Sequence, residues 1–221
     1  MTRNTHRVGS LSGTLVVLSV AMFLAAGCGH DQQLTLRSMQ RGQTFSQPFT
    51  AAYCSRDGSG DTDVVLVDRA AEGSLDGHQT AAPVRQVMHI RVLWQPMHDT
   101  KADHPSASNA TIHWYVMGNT PERSADVLEY AGTAFVVMNG SEDGTELTIR
   151  NASVQPVACR GELCDPVGTT AVAGTIHAGK SPRRVRQALS DVRTDIAVAN
   201  SLTPSASAAH VKAESPSSLV R

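Results

Sequence analysis

The residues richest in chemical potential are His98-Asp99-Thr100-Lys101-Ala102-Asp103-His104, which put two imidazoles and two carboxylates into one short segment. His98, Asp99, Asp103 and His104 supply the nitrogen and oxygen donors that zinc or another transition metal takes, and a metal so held can activate water for hydrolysis. Pro105 and the run Ser106-Ala107-Ser108-Asn109 follow, so the segment also reads as a solvated loop between two strands. Asp57, Ser59, Asp61, Asp63 and Asp68 partly echo the oxygen spacing of a calcium loop. Thr62 stands where the sharp turn needs Gly, and a hairpin loop accounts for the same residues. His89 and His113 fall on what read as neighbouring strands, where a histidine is usually held by hydrogen bonds. No Gly-x-Ser-x-Gly elbow, phosphate loop or dinucleotide fingerprint is present.

The cysteines carry a second kind of chemistry. Cys159 and Cys164 flank Arg160-Gly161-Glu162-Leu163, and a turn at Gly161 would bring their sulfurs together. Cys54, Cys159 and Cys164 allow three single pairings. Proximity favours Cys159–Cys164, leaving Cys54 as a buried thiol. So small a loop is stabilised by only about 2 kcal/mol, enough to pin a turn but not to make a fold. The spacing is too wide for a two-residue redox motif, and a zinc site would need a second close pair.

Cys28 has a different context. Arg3 and Arg7 form a positive start, Leu15 to Ala26 an apolar run interrupted only by Ser19, and Ala25-Ala26-Gly27 a stretch of small residues before Cys28. The run is too short to span a bilayer comfortably, so it reads as a targeting peptide. Leu24-Ala25-Ala26-Gly27-Cys28 resembles the lipobox of bacterial lipoproteins. The likeness covers residues 1–28 and departs from the commonest form in having Ala25, not Leu, three places before the cysteine. It implies cleavage before Cys28, a diacylglyceryl group on its sulfur and often a further acyl chain on its new amino group. Two or more chains hold a protein stably on a bilayer where one does not. Gly29 follows Cys28, whereas Asp there resembles an inner-membrane retention signal. The resemblance thus implies a protein facing the periplasm, with a lean towards the outer membrane.

The whole chain fits that picture. It has 221 residues, 41% hydrophobic and 18% charged, with a formal net charge of -1. So balanced a charge gives no field for nucleic-acid binding, and no cofactor is called for beyond the covalent lipid. Export would place the remaining cysteines where disulfides persist.

The elements that must position these residues follow from periodicity. Residues 28–46 are polar enough to read as a tether after the signal peptide 1–27, although Leu34 and Leu36 would suit a first strand. Residues 47–200 read as one domain. Short alternating segments predict antiparallel β-structure, either a sandwich or an open barrel. Val64-Val65-Leu66-Val67 suits a strand covered on both faces, and Val84–Gln95 is the longest strand candidate, ended by Pro96. Ile112, Trp114 and Val116 alternate with His113 and Tyr115. Asn139-Gly140 and Asp143-Gly144 predict a hairpin between Val127–Met138 and Glu146–Val157. Thr169–Ala178 reads as a last strand with a bulge or bend at Gly174.

At Ser181 the period becomes helical. Ser181 suits an N-cap, Pro182 a first turn, and Val185, Ala188, Leu189, Val192, Ile196 and Ala199 form one apolar stripe, predicting an amphipathic helix over 182–199. Arg183, Arg186, Asp191, Arg193 and Asp195 occupy its other face. Residues 201–221, rich in Ser, Ala and Pro, predict a disordered tail.

The reading that results is a lipid-anchored, β-rich structural or binding module. The alternative is a metal-binding protein or metal-dependent hydrolase using the His98–His104 segment. A third is an assembly factor that offers an edge strand to an envelope partner.

Overall fold

The computed structural model describes residues 32–69, 84–96, 108–118, 126–161 and 167–202. They form β1 (Gln32–Ser38), β2 (Thr44–Phe49), β3 (Ala51–Arg56), β4 (Thr62–Arg69), β5 (Val84–Val92), β6 (Ala110–Gly118), β7 (Val127–Gly140), β8 (Gly144–Arg160), β9 (Thr170–Lys180) and α1 (Pro182–Leu202).

The strands follow the order β2-β1-β9-β3-β4-β5-β6-β7-β8, and β8 also pairs with β9. That last pairing shuts β3 to β9 into a closed barrel, neither a sandwich nor an open barrel. Alternation is legible in the strands from β3 onward, but all three architectures share it. Closure depends on a short parallel seam, Tyr53↔Gly179 and Cys54↔Lys180, far apart in the chain. β1 takes the edge of β9 that β3 leaves free, pairing Thr35↔Ala173 to Ser38↔Thr170.

The supposed tether is therefore largely sheet. Gln32, Leu34, Leu36 and Ser38 are buried while Gln33, Thr35 and Arg37 are exposed, a period of two hidden by the polar composition. Leu34, Leu36 and Phe49 join the barrel core with Leu66, Met88, Ile90, Ile112, Trp114 and Tyr130. Trp114 stacks on Tyr130 with ring centroids 4.7 Å apart, and its Nε1–H donates to Gln86 Oε1 at 3.0 Å. The interior is filled by the protein's own side chains, as in small barrels generally.

β4 is apolar on both faces for the expected reason. Val64 and Leu66 point into the barrel, whereas Val65 and Val67 lie under α1 with Val87, Met117 and Val127. All six residues of the predicted helical stripe belong to this outer layer. Ser181 caps α1: its amide donates to Cys54 O at 2.9 Å, and its carbonyl accepts the first helical bond from Val185 N at 3.1 Å. The helix continues to Leu202, beyond the expected end, and the rest of the tail lies outside the described residues.

β5 stops at Val92, shorter than expected, and one further bond in the same register, Leu93 N to Asn109 O at 2.9 Å, closes its end. The longest strands are β7 and β8, joined by the predicted hairpin. β8 carries the irregularities. Its register against β9 shifts between Ile149 and Ala152, where Asn151 takes a φ of 49°. Gly174, opposite Ile149, has a φ of 147°, and a Cβ there would stand 2.9 Å from Leu34 Cδ2. The bend expected at Gly174 is thus shared with a bulge on its neighbour.

Candidate functional site: the outer wall beside the helix

With the interior filled, the outer wall carries the groups free to act. α1 lies chiefly over β3 and β4 and reaches across to β7. Ala188 on the helix and Ala51 on β3 are too small to close the gap between them, and a cleft of about 280 Å³ remains. Val67 and Val87 give it an apolar floor, and Arg85, Arg184 and Asp191 a polar margin.

These charges are mostly occupied. Arg85 forms an ion pair with Asp195, a residue expected on the solvated side of the helix but turned here onto the wall. Arg184 lies over the Tyr53 ring with its guanidinium carbon 5.7 Å from the centroid, a cation–π placement. Asp191 Oδ1 accepts from Gln187 Nε2 at 2.7 Å. Arg85 Nε is buried and has no hydrogen-bond partner. Small size, an apolar floor and a charged margin suit a compact, largely apolar ligand.

Next to the cleft runs a row of titratable groups across four strands. His89 and His113 face each other directly in the β5–β6 register. Each has its own carboxylate: His89 Nε2 meets Asp63 Oδ1 at 2.8 Å, and His113 Nδ1 meets Glu129 Oε1 at 3.0 Å. Burial pushes the His89 pKa down, against the upward pull of Asp63. Tyr115 is pushed up to about 12, first by burial, then by the Glu129 charge and hydrogen bond. The row is a set of satisfied pairs. It presents no activated nucleophile, and among the described residues no group of three or more His, Cys, Asp or Glu side chains is placed to hold a metal ion.

The calcium-like spacing resolves into a hairpin loop. Asp57 Oδ1 accepts from Ser59 N, Ser59 Oγ and Asp61 N, and these bonds, led by the Ser59 hydroxyl, hold its carboxyl below the usual range. Arg91 Nη2 then sits 2.7 Å from Asp61 Oδ2 and 3.4 Å from Asp57 Oδ2, filling the place of a cation.

His98, Asp99, Asp103 and His104 lie outside the described residues, as do Cys28 and Cys164. Cys159 is exposed near the end of β8, and no disulfide joins described residues. Cys54 is the buried thiol expected: its Sγ is 3.4 Å from Ala178 O, and burial pushes its pKa up.

Sequence reasoning missed Asn109. It reads in the sequence as the end of a solvated loop, yet the side chain is fully buried. Its Nδ2 donates to Trp94 O at 2.8 Å and Val136 O at 2.9 Å, and its Oδ1 accepts from Val136 N at 2.8 Å. A clue was present in its place between a polar loop and an apolar strand, where a side chain able to both donate and accept can replace missing ladder bonds.

Fold and site together define, among the described residues, a closed, side-chain-filled β-barrel with a helix packed outside it. Comparison with protein-family models, curated proteins and solved structures gives no match to this chain.

Proposed function

We propose that this is a lipid-anchored protein of the bacterial cell envelope, held to the membrane by acyl groups on Cys28. Its barrel then serves the periplasmic side as a structural or binding module. The observation that carries the reading is the sequence Leu24-Ala25-Ala26-Gly27-Cys28 behind Arg3, Arg7 and the apolar run Leu15–Ala26. Gly29 in place of Asp favours the outer membrane as the destination.

The filled barrel supports a role exercised at the surface, since Trp114, Tyr130, Phe49 and Leu66 occupy the space an internal ligand would need. Two surfaces suit it. One is the cleft under α1. The other is the outward edge of β2, which is the terminal strand and is paired by β1 alone among the described strands. Pro48 on β2 lacks an amide hydrogen, which restricts strand addition to part of that edge.

The test is metabolic labelling of the full chain with radioactive palmitate in a bacterial host, beside a Cys28→Ser variant. The expected result is label and membrane fractionation for the parent, with neither label nor processing at this site for the variant. A Cys28→Ser chain that is still trimmed at the same bond and still sediments with membranes overturns the proposal.

A further inference from the structure

Strand directions decide which parts of the barrel share an end. β3 runs parallel to β9, β4 runs against β3, and β5 runs against β4. The C-termini of β3, β5 and β9 therefore meet on one rim. β1 runs against β9, so the chain enters β1 from that same rim. Gln32 Oε1 accepts from His177 N at 2.7 Å, close to where β9 leaves for α1 at Lys180.

Two further facts bear on this rim. Only residues 29–31 separate Cys28 from Gln32, the first residue of β1. A chain extends at most about 3.6 Å per residue, so Cys28 stands within about 14 Å of Gln32 whatever path it takes. Gln32 lies level with Ile176, four residues from the near rim at Lys180 and six from the opposite end of β1 at Ser38. At about 3.3 Å per residue and a tilt near 40° these are roughly 10 Å and roughly 15 Å, so Cys28 reaches the near rim readily and the opposite one only at full stretch. The second fact is Leu93 and Trp94, which directly follow β5 on the near rim and are 49% and 44% exposed. Met39 and Leu202 are as open at the opposite end, but each stands apart, whereas Leu93 and Trp94 are adjacent, and Trp is the side chain that best suits a membrane–water interface.

We infer that this rim is the membrane-facing end of the protein, with Leu93 and Trp94 seated at the boundary between lipid headgroups and acyl chains. The inference rests on the reading that Cys28 carries lipid. Lys180 and Arg183, both exposed, stand on the same rim near anionic headgroups. Glu142 and Asp143 on the β7–β8 turn oppose them, so the apolar pair rather than net charge makes the contact. The β1–β2 connection, the end of β6 at Gly118 and the far end of α1 then point away from the bilayer.

The experiment uses the full lipidated chain in vesicles of phosphatidylethanolamine and phosphatidylglycerol, some prepared with lipids brominated high in the acyl chains. The protein has two tryptophans, and Trp114 is fully buried in the barrel, so lipid quenching reports on Trp94. Expected is about a twofold loss of the Trp94 emission in brominated vesicles. The bromine-dependent loss should disappear in Trp94→Phe, which leaves Trp114 as internal reference. Protein that carries acyl mass and floats with the vesicles, yet shows no bromine-dependent quenching, overturns the orientation. Protein that carries no acyl mass and does not float overturns the anchor itself, a separate result.

Discussion

Asn109 does with one side chain what a strand pair does with several backbone groups. It replaces ladder bonds where β5 has stopped and β7 still needs a partner, and it is buried as it does so. Asn109→Ala leaves an amide hydrogen and two carbonyls short of partners, so it should destabilise the barrel by about 2–4 kcal/mol. Urea titration followed by tryptophan fluorescence measures this, and a loss below about 0.5 kcal/mol would contradict the role given to the side chain. His89 gives a pH dependence of definite sign. Its folded pKa lies below the ordinary value near 6.5, chiefly through burial, so the unfolded chain takes up the proton more readily. Its contribution to stability is complete above about pH 6.5 and is lost as the pH falls through the depressed folded value. Urea midpoints measured across that interval should fall with acid in the parent, and fall less steeply in His89→Gln. Neither residue's role was legible in the sequence. His89 and His113 were correctly placed on adjoining strands by alternation, but the carboxylate each one meets depends on register, which composition does not encode.

The helix and the wall under it show what periodicity can and cannot reveal. The apolar stripe on α1 and the doubly apolar β4 were both legible, and each is the answer to the other: Val65 and Val67 are apolar because α1 covers them. Which strands the helix would cross was not legible, because a stripe states how much surface must be covered and not where. Val192 is buried in that outer layer, so Val192→Asp places a charge against Val65, Val87 and their neighbours. It should loosen α1 from the wall and cost about 3 kcal/mol or more. Limited proteolysis should then cut within Pro182–Leu202 while β3 to β9 persist, whereas a cleavage pattern identical to the parent would refute the packing. β1 and β2 teach the opposite lesson. Their polar outer residues suggested a tether, but burial followed the alternating Leu34 and Leu36, since even a half-polar strand is held when its inward positions are apolar.

At the scale of the molecule, the metal-like segment, the lipobox and half of the favoured cysteine pair fall outside the described residues, while the body is a closed barrel whose inside is full. Its seam joins Tyr53 and Cys54 to Gly179 and Lys180, and β1 also finds its second neighbour only in β9. A chain ended before Thr170 lacks β9 and with it the partner of β1, β3 and β8 at once. Such a chain should fail to give a cooperative thermal transition and should pass into aggregates, because open strand edges remain. A soluble truncated product with a sharp melting curve would contradict the closure. The same seam sets a timetable for biosynthesis. Everything from Gln32 to Arg160 emerges before the strand that locks it, so the chain must wait, unsealed, for about the last eighth of its described strand residues. A chaperone that shields the growing β1 and β3 until Thr170–Lys180 arrives would protect the one interval in which this otherwise self-contained barrel is vulnerable.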